Sequence, residues 1–141
     1  MNLYAESSAV LSWLLDEPES PAVVESLGSA GLVVTSDLTL VECARALLRA
    51  QTTGELSAAQ ASDRRRILEE AAEAWSFVEL NAQVLELARR PFPADPLRTL
   101  DALHLATALT TRFAVPGLRV LSLDRKVRES ATGLGFRVLP A

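Results

Sequence analysis

The sequence predicts an α/β fold: a three-layer α/β/α sandwich around a mainly parallel central sheet. Short apolar, β-branched runs alternate with segments of helical periodicity along the whole chain. No repeat, low-complexity tract or long linker interrupts them, so residues 1–141 read as a single domain. Hydrophobic residues make up 49% of the chain, enough for a sizeable core.

Residues 3–5 read as a short buried strand. Ser7 or Ser8 is expected to cap the helix that follows, through Leu15, because a serine oxygen accepts from the free N–H groups of a first turn. Glu17-Pro18 breaks that helix, since proline lacks the N–H and disfavours helix before it. A second helix runs from Pro18 or Glu19 to Leu27 and ends at Gly28. "GLVVTS" (31–36) is a second strand. A third helix covers about residues 39–50, with Gly54 closing the region. Residues 57–75 read as a long helix with "DRRR" (63–66) on its solvated side. "SFVEL" (76–80) is a third strand, and Asn81 caps a helix to about Arg89. "RRPFPADP" (89–96) holds three prolines and is a loop. A helix over residues 99–111, a strand over 118–123, a helix from near Asp124 and a strand over 136–139 complete the pattern.

Bulk properties narrow the function. The chain has no 18-residue apolar span, so no membrane helix is expected. It has no basic-then-apolar leader, so no signal peptide is expected either. The one cysteine, Cys43, excludes an internal disulfide framework and agrees with a reducing cytoplasm; its apolar helical setting predicts a buried, inert thiol. The net charge of −4 argues weakly against nucleic acid. Against that, 13 of the 14 basic residues are arginine and only Lys126 is lysine. Arginine makes forked contacts with phosphate that lysine does not, although a GC-rich genome produces the same bias.

Ligands of an open parallel sheet bind beyond the carboxyl ends of its strands. Glu6 follows the first strand, Asp124 follows "VLSL", and Asp37 follows "VVTS" with Glu42 a turn and a half beyond. Asp101 lies in the first turn of "LRTLDALHLATAL" (97–109), a largely apolar helix. Helix capping explains Asp37 and Asp124 but not Glu42 and Asp101, which lie inside helices. A divalent cation shared by Glu6, Glu42, Asp101 and Asp124 explains all four, and hard oxygen ligands suit Mg²⁺ or Mn²⁺. Without these four of its 18 acids the chain has 14 acids and 14 bases, so the acidity does not exclude an RNA substrate.

His104, the only histidine, follows Asp101 by three residues and is expected as a packed core residue, since no partner completes a triad. Arg45 and Arg49 share the face of Glu42, Arg98 precedes Asp101 and Arg125 follows Asp124. Each is a candidate for RNA phosphates or for a partner's carboxylates, against ordinary solvated charge. Trp13 and Trp75 are expected in core or interface.

Four stretches, "LYAESSAVLSWLLDEPES", "SDLTLVECARALLRA", "LRTLDALHLATAL" and "VLSLDRKVRESATGLGFRVL", span nearly the whole chain. In that order they resemble PIN-domain ribonucleases, in particular the VapC-type toxins of bacterial toxin–antitoxin pairs. The resemblance implies a parallel sheet sandwiched between helices and a magnesium-dependent endoribonuclease. It implies that Glu6, Glu42, Asp101 and Asp124 form the metal pocket and that Ser8 supports the first acid. A cation there would activate water and offset charge on the phosphodiester in flight. The family usually has aspartate where this chain has Glu6; the extra methylene still lets the oxygens reach a cation.

The resemblance also implies an antitoxin partner, offering an extended segment with an apolar anchor and a basic residue. A homodimer is expected as well, with surplus apolar surface around Trp13 and over residues 55–75. Two other readings remain: a PIN-like RNA- or protein-binding module without turnover, and a receiver-like signalling domain. The second would want adjacent acids after the first strand, which Glu6 alone does not supply.

Overall fold

A computed structural model describes residues 1–141. The chain runs β1 (Asn2–Ala5), α1 (Ser7–Leu14), α2 (Ser20–Ser29), β2 (Leu32–Ser36), α3 (Asp37–Thr52), α4 (Ala58–Ala72), β3 (Ser76–Val78), α5 (Ala82–Ala88), α6 (Thr99–Ala114), β4 (Arg119–Leu121), α7 (Arg125–Gly133), β5 (Val138–Leu139). The five strands form one sheet in the order β3-β2-β1-β4-β5, and every pairing is parallel.

Alternation along the strands builds the three layers. Tyr4, Val34 and Val120 point to one face and pack with Val84, Leu105 and Val127 of α5, α6 and α7. Their neighbours Leu3, Ala5, Val33 and Leu121 point to the other face, against α1 to α4. Helix α6 is the most deeply set, and burying one side chain such as Leu105 there contributes about 1.5–3 kcal/mol. Its buried Thr107 and Thr111 donate to the carbonyls of Leu103 and Thr107 one turn back, so they remain satisfied.

Several boundaries differ from expectation for local reasons. Glu6, not Ser7 or Ser8, caps α1: its side chain accepts from Ser8 N. Ser36, not Asp37, caps α3, and Asp37 is the first helical residue. Helix α2 continues through Gly28 to Ser29, because Gly28 does not take the left-handed backbone that would end a helix. Ser57 and Gln60 form a reciprocal capping box that starts α4, which stops at Ala72 short of Trp75. Asn81 caps α5 as expected.

The proline loop (89–96) lies against α7. A Cβ at Gly133 would stand 2.6 Å from Pro93 Cβ, so glycine is what lets the loop close there. Ser130 Oγ accepts from Ala94 N at 3.0 Å, and Asp95 accepts from Phe92 N and Leu97 N. The loop thereby delivers Arg98 and the start of α6 to the sheet.

The expected apolar surplus over residues 55–75 is not on the surface. Trp13 and Trp75 pack on each other at 6.4 Å and belong to the core between α1, α3 and α4. What remains there is a shallow groove lined by Trp13, Val24, Leu27 and Trp75. Val24 is exposed at that groove; the other exposed large apolar residues lie elsewhere, among them Leu40, Val41 and Leu48 on α3 and Phe113, 84% exposed, at the end of α6.

Cys43 is buried in that same core, as expected. Burial, together with the charges of Glu42 and Glu6, pushes its thiol up to about 12. Thiolate is the reactive form, so Cys43 is expected to ignore iodoacetamide at pH 8 in the native protein and to react only after unfolding. Rapid native labelling would contradict this packing.

Candidate active site

From β1 the chain moves outward through β2 to β3, then crosses back over α5 and α6 to place β4 on the other side of β1. The crevice at the carboxyl ends of β1 and β4 is where an open parallel sheet binds ligands. Glu6 follows β1 directly, and its backbone N–H donates to Leu121 O of β4 at 2.9 Å. Asp124 caps α7 just beyond β4, Glu42 reaches in from α3, and Asp101 from the first turn of α6.

Glu6 is only 3% exposed, so its carboxylate depends on internal donors. Oε1 accepts from Ser8 N at 3.1 Å and Ser7 Oγ at 2.9 Å. Oε2 accepts from Ser122 Oγ at 2.8 Å and from Ser8 Oγ. The same two hydroxyls accept from Leu123 N and Asp124 N, tying the ends of β1 and β4 together.

Ser7 Oγ also stands 3.1 Å from Glu42 Oε2, and its one proton serves one carboxylate at a time. The other Glu42 oxygen lies 2.5 Å from His104 Nε2, whose Nδ1 is 2.7 Å from Tyr4 Oη. His104 is buried as expected, but within a polar chain rather than an apolar one.

Asp101 and Asp124 are joined by Arg98. Its Nε donates to Asp101 Oδ2 at 3.1 Å and one terminal nitrogen to Asp124 Oδ2 at 3.2 Å. Asp124 Oδ1 accepts from Val127 N, so this residue both caps α7 and faces the pocket. Burial raises the pKa of Asp101, Arg98 opposes the rise, and the Asp124 charge adds to it.

All four acids, with Ser8, line one cleft of about 450 Å³. Arg45, Arg49 and Arg98 line it too, beside Leu11, Leu38, Val41 and Leu100. Arg45 and Arg49 make no ion pair, whereas Arg98 is committed to the aspartates. Arg125 does not line the cleft: its exposed side chain lies along α7, 3.4 Å from Glu129. A larger cavity of about 680 Å³ lies between α5, the proline loop and α6. Its only carboxylate, Asp95, is spent on loop amides, so it carries no reactive group.

Four carboxylates are the donor set a hard divalent cation prefers. They converge on one cleft but not on one point: no three of them stand within reach of a single ion as placed. Ser7 holds Glu6 and Glu42, and Arg98 fills the position between Asp101 and Asp124. The donor chemistry therefore fits, and Arg98 is the group that must yield.

The sequence alone offered Ser7 only as a helix cap and did not single out Ser122 or Tyr4. A usable signal existed for Ser122: a hydroxyl two residues before Asp124 mirrors Ser8, two residues after Glu6.

The fold and site define a class, an open parallel α/β domain with a carboxylate cluster where its strand order reverses. The PIN-domain family profile matches residues 3–132. The chain is 35% identical to ribonuclease VapC46 of Mycobacterium tuberculosis, over 97% of this chain and 95% of that relative. It therefore belongs to the PIN-domain family, among the VapC ribonucleases. Among solved structures, VapBC2 of Rickettsia felis, bound to a DNA fragment from its promoter, matches with a TM-score of 0.67 at 8% identity, covering 98% of this chain and 97% of that one. VapC20 of M. tuberculosis, described as a sarcin–ricin loop cleaving toxin, matches at 0.66 and 15% identity over 96% of each chain. At such identities these likenesses concern the fold.

Proposed function

We propose that this protein is the toxin of a toxin–antitoxin pair, a hydrolase that cleaves RNA phosphodiesters with a divalent cation, Mg²⁺ or Mn²⁺, held by Glu6, Glu42, Asp101 and Asp124. The observation that carries the reading is the meeting of these four carboxylates, from four separate elements, in one cleft lined by uncommitted arginines. When bound, such a cation supplies Lewis-acid stabilisation of the charge that builds on a phosphodiester.

The chain's own residues do the rest. Ser7, Ser8 and Ser122 hold Glu6 facing the cleft. Arg45 and Arg49 offer forked donors to phosphates flanking the cut, offsetting the repulsion between a polyanion and an acidic cleft. Arg98 is 78% exposed, so it is free to swing out from Asp101 and Asp124 when a cation takes its place. Once released, it is a third donor for RNA.

Two supports favour an antitoxin partner. The structural neighbours include VapBC2, and the Trp13–Trp75 groove suits an apolar anchor, with a basic side chain reaching the acids as Arg98 now does. The protein is expected to act as a homodimer.

The test is cleavage of structured RNA with Mg²⁺ and with EDTA. Cutting that needs Mg²⁺, and that stops on adding the product of the adjacent gene, is the expected result. RNA binding without cutting would instead make the protein a binding module. Light scattering should give about twice the 15.2 kDa chain mass; a monomer unaffected by that neighbour would leave a solitary nuclease.

A further inference from the structure

We propose that His104 is a positioning residue: backed by Tyr4, it aims the Glu42 carboxylate into the acid cleft. The inference rests on the metal-dependent reading above and assigns a task within that site to a residue that touches neither cation nor substrate.

The geometry runs one way. Tyr4 Oη, His104 Nδ1, His104 Nε2 and Glu42 Oε1 form a buried chain with separations of 2.7 and 2.5 Å at its two hydrogen bonds. A carboxylate oxygen only accepts, so Nε2 carries the proton beside Glu42, and the Tyr4 O–H donates to the remaining ring nitrogen, Nδ1. A neutral ring that accepts at Nδ1 carries its proton on Nε2. That N–H donates to Glu42 Oε1. The chain spans β1, α6 and α3, so the orientation of Glu42 is referred to the centre of the sheet.

Among the four acids Glu42 needs this most. Glu6 has four donors. Asp101 and Asp124 have short side chains with little freedom to turn away, and Asp124 is also held by Val127 N as the cap of α7. Glu42 has a longer side chain, 21% exposed, and apart from His104 it meets only Ser7, whose proton Glu6 shares. Without His104 its carboxylate can rotate away along α3. Partners that orient a metal ligand in this way typically change affinity by about 10–100-fold when removed. His104 itself is 1% exposed and faces no open part of the cleft, so it cannot reach a substrate.

The test uses the full chain and reads Mn²⁺ binding by electron paramagnetic resonance, independent of RNA cleavage. H104L is expected to weaken Mn²⁺ binding by about 10–100-fold. H104Q, whose amide N–H can stand where Nε2–H stood, should recover most of it. In an E42Q background H104L should add no further loss, because the two changes remove one interaction. Because the chain has one histidine, ¹H–¹⁵N spectra of the metal-free protein report its ring alone. They should show a single imidazole proton, on Nε2, that moves in E42Q and in Y4F. A folded H104L with wild-type Mn²⁺ affinity, or a proton on Nδ1 alone, overturns the inference and leaves the metal reading standing. Wild-type protein that binds no Mn²⁺ overturns both. If H104L does not fold, H104Q and Y4F decide: H104Q must keep Mn²⁺ affinity and the Nε2 proton, and Y4F must shift that proton.

Discussion

Asp101→Asn is expected to reduce magnesium-dependent RNA cleavage by more than about 100-fold, the upper end of what loss of an outer-shell partner causes. Its fold should survive. Burial raises the pKa of Asp101, so the folded chain binds that proton more tightly than the unfolded chain does. The sign follows: the stability this gives is present below the unfolded pKa, about 3.9, and is lost as pH rises through the folded value. At neutral pH the ionised side chain is a cost, and asparagine removes it. The variant also loses the pair with Arg98, but that guanidinium is mostly exposed and such pairs contribute at most about 1 kcal/mol. The metal-free variant should therefore melt at the wild-type temperature or above it. Full cleavage by Asp101→Asn would sink the metal site. A much lower melting temperature would show that the Arg98 bridge outweighs the burial of the acid.

Glu6→Gln is expected to impair both stability and cleavage. Four donors converge on the Glu6 carboxylate, one of them the first-turn N–H of α1. An amide accepts through one oxygen only and turns its own N–H₂ toward the remaining donors. Losing charge-assisted bonds and weakening the cap should cost about 2–4 kcal/mol, measured by urea denaturation without metal. Glu6→Asp keeps the charge and is itself a good cap. It draws the oxygens back by one methylene, away from Ser122, but restores the residue usual in the family it resembles. It should retain measurable cleavage. Equal cleavage by wild type, Glu6→Asp and Glu6→Gln would reduce Glu6 to a helix cap.

The sequence by itself determined the layers and the addresses of the acids. Alternation along "LYA", "VVTS" and "RVL" set which side chains enter each helical layer, because a strand's period of two is local. Strand ends located Glu6 and Asp124, and helical spacing placed Asp101, His104 and Glu42 on inward-turned faces for the same reason. The tertiary structure alone decided what each of those groups does next. His104 meets Glu42 across 62 positions of sequence, and Ser122 meets Glu6 across 116. Arg98 reaches Asp101 three residues on, which helical spacing foretells, but it reaches Asp124 only because β4 returns beside β1. Arg125, adjacent to an acid in sequence, does not line the cleft, because its side chain lies along α7 beside Glu129. Hydrogen bonds of a few ångströms depend on where separate elements dock, and docking is settled by packing summed over the whole sheet. No local period encodes it.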